Sequence, residues 1–105
     1  MNPELKGGIL TVETRGYIQR FGSALRLTYK ARRQAIKILK LAKEREITPR
    51  WVSAGILAAA IYIAGIQCEE RRTQREIAGV VGVSETTLRI RYIELVKKLD
   101  LRCIL

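Results

Sequence analysis

From Trp51 to Ala64, twelve of fourteen residues are apolar, and five of those are alanine. A helix that is apolar on every side has no face to give to water; it lies at the centre of a core or inside a membrane. The run falls short of the roughly 18 to 20 apolar residues that a spanning helix needs. Arg50 and the cluster Glu69-Glu70-Arg71-Arg72 bound it. The segment from about Arg50 to Ile66 therefore predicts one buried helix around which the others pack. Its alanines let neighbours approach closely, and Tyr62 is expected in the core with its hydroxyl at an edge.

What surrounds that helix is also helical. Thr14 is placed to cap a helix carrying Tyr17, Ile18, Phe21, Leu25 and Leu27, with Gly22 offering a close-packing point. Thr28 opens a second helix to about Glu46, with Ala31, Ala35, Ile38, Leu39 and Ala42 as its inner stripe. On its other side Lys30, Arg33, Lys37 and Lys40 share one face. That face could track phosphates, and an ordinary solvated face accounts for it equally well. Pro49 disfavours helix in the residue before it and separates the second helix from the third. Residues 1–12 read as a linker or disordered N-terminus, and 13–105 as a single all-α domain of five helices.

The chain has 105 residues, twenty Lys and Arg against ten Asp and Glu, and a net charge of +10. A folded domain this basic favours an anionic partner. It has no histidine, so the commonest general base and metal ligand is missing. Cys68 and Cys103 form no paired ligand spacing, and reduced thiols in a cytoplasmic setting are the default reading. Carboxylates lie beside basic residues, and there is no glycine-rich phosphate loop. No catalytic residue, metal site or cofactor is expected.

The stretch RTQREIAGVVGVSETTLR, residues 72–89, carries the strongest functional signal. Thr73 followed by Glu76 is a capping box. Gly82 suits a left-handed turn, and Ser84 can cap the next helix. Leu88, Tyr92, Leu95, Val96 and Leu99 continue as an apolar stripe. Two short helices joined by a tight turn, with small and apolar residues at their crossing, make a helix-turn-helix over about 73–99. In a reader of this kind the second helix enters the major groove by its N-terminal end. Leu88 then faces inward, and Thr86 and Arg89 face out as the base-reading candidates; the Arg89 fork matches guanine O6 and N7. Arg89 could instead pair with Glu85 one turn earlier. Thr73, Ser84 and Thr87 lie near helix N-termini, where amides attract phosphate. Capping explains Thr73 and Ser84 equally well. Arg72, Gln74 and Arg75 are the remaining candidates for phosphate or supporting contacts.

These segments resemble a known family. Gly55-Ile56-Leu57-Ala58-Ala59-Ala60-Ile61-Tyr62-Ile63-Ala64 looks like the central helix of a cyclin-like repeat. Arg72 to Ala78 and Gly82 to Tyr92 are similar to the closing helices of archaeal transcription factor B, a member of the general transcription factor IIB family. The match is to its second, C-terminal repeat, and Tyr17 to Leu25 resembles that repeat's first helix. The resemblance implies a five-helix cyclin-like fold. It also implies binding to double-stranded promoter DNA just upstream of the TATA box, beside TATA-binding protein, with RNA polymerase engaged through the full-length protein. It places base reading at Thr86 and Arg89; the family commonly has valine at the first. A monomer acting in the archaeal cytoplasm, at the nucleoid, is the expected state. The zinc ribbon and first repeat are absent, which suggests an excised half or a shortened paralogue. Two other readings fit the residues: a cyclin-like protein-interaction scaffold, and an independent helix-turn-helix repressor.

Overall fold

A computed structural model describes residues 12–45 and 52–101. They form five helices: α1 (Val12–Ala24), α2 (Tyr29–Glu44), α3 (Ala54–Gln67), α4 (Gln74–Val81) and α5 (Glu85–Lys98). There is no strand among the described residues. The all-α, five-helix cyclin-like architecture expected from the sequence is the one found.

The apolar segment is the axis of the fold. Every residue from Gly55 to Gly65 is buried. The side chains of α2 and α5 pack most extensively on α3, with α4 and α1 completing the surround. Tyr62 is buried among them, its ring meeting Tyr92 edge-on at 4.9 Å, a favoured aromatic geometry. Close approach is sharpest at Gly55: a Cβ there would sit 2.8 Å from the Thr87 methyl of α5. On the other flank, buried Gly22 of α1 lies beneath the Arg32 stem of α2.

Helix starts differ from the sequence expectation at two places. The first helix begins at Val12, so Thr14 lies inside its first turn rather than capping it. The third begins at Ala54 rather than near Arg50, because the Ser53 hydroxyl accepts the Ile56 amide at 3.2 Å and fixes the start. Arg50, Trp51 and Pro49 lie outside the described residues, as do Cys103 and residues 1–11. Cys68 is free and partly buried.

The ends of α1, α3 and α5 share one device. Leu25 and Leu27, expected on the first helix, fall in the turn after it: Arg26 adopts a left-handed conformation with φ 58°. The Leu27 amide reaches back to the Gly22 carbonyl at 2.8 Å. Glu69 and Asp100 repeat this closure after α3 and α5, with φ of 59° and 58°. It satisfies carbonyls that a helix end leaves orphaned. The reversal at Arg26 drops both leucines into the core, at 6% and 5% exposure.

Candidate nucleic-acid interface

The helix-turn-helix is held at each joint by the residues the sequence nominated. Thr73 accepts the Glu76 amide at 3.0 Å, and Glu76 accepts the Thr73 amide at 2.9 Å, so both halves of the capping box form. The Thr73 bonds hold the Glu76 carboxyl below its ordinary value. Gly82 ends α4 with φ 91°, a conformation glycine adopts without a Cβ penalty. Both Gly82 and Val83 donate to the Ala78 carbonyl, at 2.8 and 3.0 Å. Ser84 then accepts the Thr87 amide at 3.0 Å and starts α5. Ile77, Ala78, Leu88, Leu95 and Val96 anchor the pair in the core, and Val81 and Val83 pack against it from the edge.

That frame leaves the outer N-terminal face of α5 open. Thr86 and Arg89, one helical turn apart, are both exposed. Arg89 makes no ion pair with Glu85. The carboxylate that does pair on α5 is Glu94, with Arg91 at 3.1 Å and Lys98 at 3.2 Å. On α4, Arg75 is exposed. Three other nominated side chains are turned to internal work. Thr87 accepts a hydrogen bond from the Ser84 hydroxyl at 2.9 Å and lies against Gly55. Gln74 bonds the Tyr62 hydroxyl. Burial pushes the Tyr62 phenol up, but the bonds from Gln74 and Arg71 and the Arg71 charge outweigh it, leaving it below the ordinary tyrosine value.

Arg72 is the most fully engaged. Its Nε donates to the Leu25 carbonyl at 2.8 Å, and Nη2 to the Arg26 carbonyl at 3.1 Å. Its Nη1 reaches the carbonyls of Glu70 and Arg71 at 3.1 and 3.2 Å. Beside it, Glu70 accepts both the Thr28 amide, at 2.8 Å, and the Thr28 hydroxyl. Those bonds to Thr28, with smaller help from the charges of Arg72 and Lys30, hold the Glu70 carboxyl below its ordinary range. The loop entering α4 is thus tied at two points to the turn between α1 and α2. Sequence reasoning missed this pair of ties. The charged cluster at 69–72 was visible, but it read only as the boundary of an apolar helix.

Charge is distributed unevenly around this frame. Residues 12–45 carry ten Lys and Arg against two Glu, whereas residues 52–101 carry seven against six acidic residues. The half that holds the helix-turn-helix is close to neutral. No group of acidic or cysteine side chains among the described residues could hold a metal ion, and no described helix is long and apolar enough to cross a membrane.

Comparison with known proteins agrees with this architecture. Residues 10–98 match the family described as Transcription factor TFIIB repeat. The chain is 49% identical over 89 residues to Transcription initiation factor IIB of Methanosarcina mazei, covering 85% of this chain and 26% of that protein. It is 51% identical over 89 residues to the factor of Archaeoglobus fulgidus, covering 85% and 27%. With the factor of Pyrodictium occultum it shares 47% over 98 residues, covering 93% and 32%. The chain thus spans about a quarter to a third of the length of these relatives. By the extent of these matches and by its five-helix arrangement, the chain belongs to the transcription factor TFIIB repeat family.

Proposed function

We propose that this chain is a promoter DNA-binding repeat of an archaeal general transcription initiation factor. It reads the element upstream of the TATA box together with TATA-binding protein, and through the longer protein it helps recruit RNA polymerase. The observation that carries the reading is the outer face of α5: Thr86 and Arg89 are exposed, adjacent and uncommitted, on a helix whose inner face is fully anchored. The mechanism is binding rather than catalysis. Arg89 offers a two-pronged donor to guanine, and Thr86 offers a methyl and a hydroxyl to a neighbouring base. The N-termini of α4 and α5, with Arg75 beside them, supply phosphate contacts that set the docking register. The chain acts as a monomer in the cytoplasm, at the nucleoid. The membership in a transcription-factor family, and relatives named as initiation factors, support this reading over a scaffold or an isolated repressor.

The test is a gel shift with TATA-binding protein and promoter DNA whose upstream bases are varied one at a time. Arg89→Ala is expected to weaken the complex by about 1 to 3 kcal/mol and to flatten the preference at one base position. Equal binding by parent and variant on every upstream sequence would remove Arg89 from the reading role.

A further inference from the structure

The outer face of α5 carries one feature that phosphate contact does not account for. Ile90 is 56% exposed and Ile93 is 36% exposed. They lie three residues apart and are neighbours on the helix surface. Ile90 follows Leu88 by two residues, which turns it about 200° away from that fully buried side chain. It therefore stands near the middle of the solvent face, one turn beyond Thr86. Arg89 stands on the flank of the same face.

Single exposed apolar residues are ordinary on protein surfaces. These two are contiguous, and with the Thr86 methyl they make a short apolar stripe along the helix. Cations rim it: Arg89 and Lys97 are both exposed. Glu94, a turn beyond Ile90, is paired with Arg91 at 3.1 Å and with Lys98 at 3.2 Å, so two cations answer its one charge. Such a stripe suits a partner that is anionic at its edges and locally apolar between them. Two isoleucines are too small a patch for a stable protein interface, which covers on the order of 800 Å2 of each partner. The major groove of DNA fits better. Phosphates flank it, and among the hydrogen-bonding base edges on its floor the thymine C5-methyl is the apolar group. Thr86 and Ile90 are about 6 Å apart along the helix axis, against about 3.4 Å between successive bases on one strand. A helix lying along the groove thus brings Ile90 to a base pair about two steps from the one that Thr86 meets.

We propose that Ile90 is a further specificity-determining residue, recognising the methyl group of a thymine in the upstream element by apolar contact. The proposal rests on the reading of α5 as the base-reading helix, and adds a third side chain to Thr86 and Arg89.

The test is a gel shift with the 105-residue chain, TATA-binding protein and promoter DNA. Each upstream position, on each strand, is set in turn to thymine and to deoxyuridine, which lacks only the 5-methyl. With the parent, the exchange at one position is expected to weaken the complex about fourfold, the effect of one buried methyl. Ile90→Ala should make that exchange indifferent, and Ile90→Val should keep most of the thymine preference. Thr86→Ala is the control, since its own methyl contact falls at a different base pair and should leave the Ile90 position unchanged. Thermal melts check each variant's fold. If no exchange loses its effect in Ile90→Ala while Arg89→Ala still flattens its own base preference, this inference fails and the reading role of α5 stands. If the parent discriminates no upstream sequence at all, both fail. A loss in Ile90→Ala that is equal on thymine and deoxyuridine DNA at every position also overturns the proposal, because the side chain would then touch protein or sugar rather than a base methyl.

Discussion

The two halves of this protein differ sharply in how they carry charge. In the helix-turn-helix half, cations and carboxylates nearly balance, and the turns are fixed by hydrogen bonds to named caps. Such a surface acts at contact range, through the placement of a few groups. In the α1–α2 half, cations outnumber carboxylates five to one, and Arg15, Lys30, Arg33, Lys37 and Lys40 form no ion pair among the described residues. That half carries most of the long-range field, which steers encounter and weakens with salt. The difference teaches that the net charge of a small domain does not mark where its helix-turn-helix lies.

The contrast is tested most severely in the core. Leu88 is fully buried on the inner side of α5, so Leu88→Ala is expected to cost about 3 to 5 kcal/mol in urea unfolding. Lys37→Ala, on the exposed face of α2, should move stability by no more than about 0.5 kcal/mol. Next comes the junction between the halves. Arg72→Ala removes a cation shared by four carbonyls and is expected to cost about 1.5 to 3 kcal/mol. Arg72→Lys should restore only part of this, because an ammonium cannot span carbonyls arranged for a planar fork.

The second tie at that junction is sensitive to acid. The Glu70 carboxyl is held below its ordinary range by Thr28, so the folded state binds its proton less readily than the unfolded chain does. Its contribution is complete above the unfolded value of about 4.3 and fades as pH falls through the lower folded value. Melting temperatures of the parent and Glu70→Gln should therefore differ at neutral pH and converge in stronger acid. A small effect of opposite sign is expected at Glu69, which holds a left-handed conformation without being glycine. Glu69→Gly should raise stability by roughly 0.5 to 1 kcal/mol, the relief of that strain partly offset by the freedom glycine adds to the unfolded chain. A thermal melt would show it as a rise of a few degrees.

Much of this architecture was legible in the sequence because it is local. Thr28, Thr73 with Glu76, Gly82 and Ser84 each act within four residues, and each sits where its residue type says. The buried axis was legible because an unbroken apolar helix has few places to go. The ends of the first helix were not. A leucine at helical spacing is buried equally well in a last turn or just past a left-handed residue, and Arg26 does not announce that conformation as a glycine would. The ties from Arg72 to Leu25 and from Glu70 to Thr28 join residues more than forty positions apart, and no periodicity reports such pairs. At the candidate interface, spacing placed Thr86 and Arg89 together on one face. It could not separate them from Thr87 and Gln74, because which polar side chain turns inward depends on Gly55 and Tyr62, distant in the chain.

The four carbonyl bonds of Arg72 and the two Glu70 bonds to Thr28 have a kinetic meaning as well. Opening the 69–72 loop breaks the bonds that hold the 25–28 turn, and the reverse. The two segments are expected to open as one cooperative unit, and hydrogen exchange should show their amides protected to a common free energy. A molecule that grips the start of α2 therefore slows the opening of the loop that leads into α4, and the two halves, unlike in charge, share a clock.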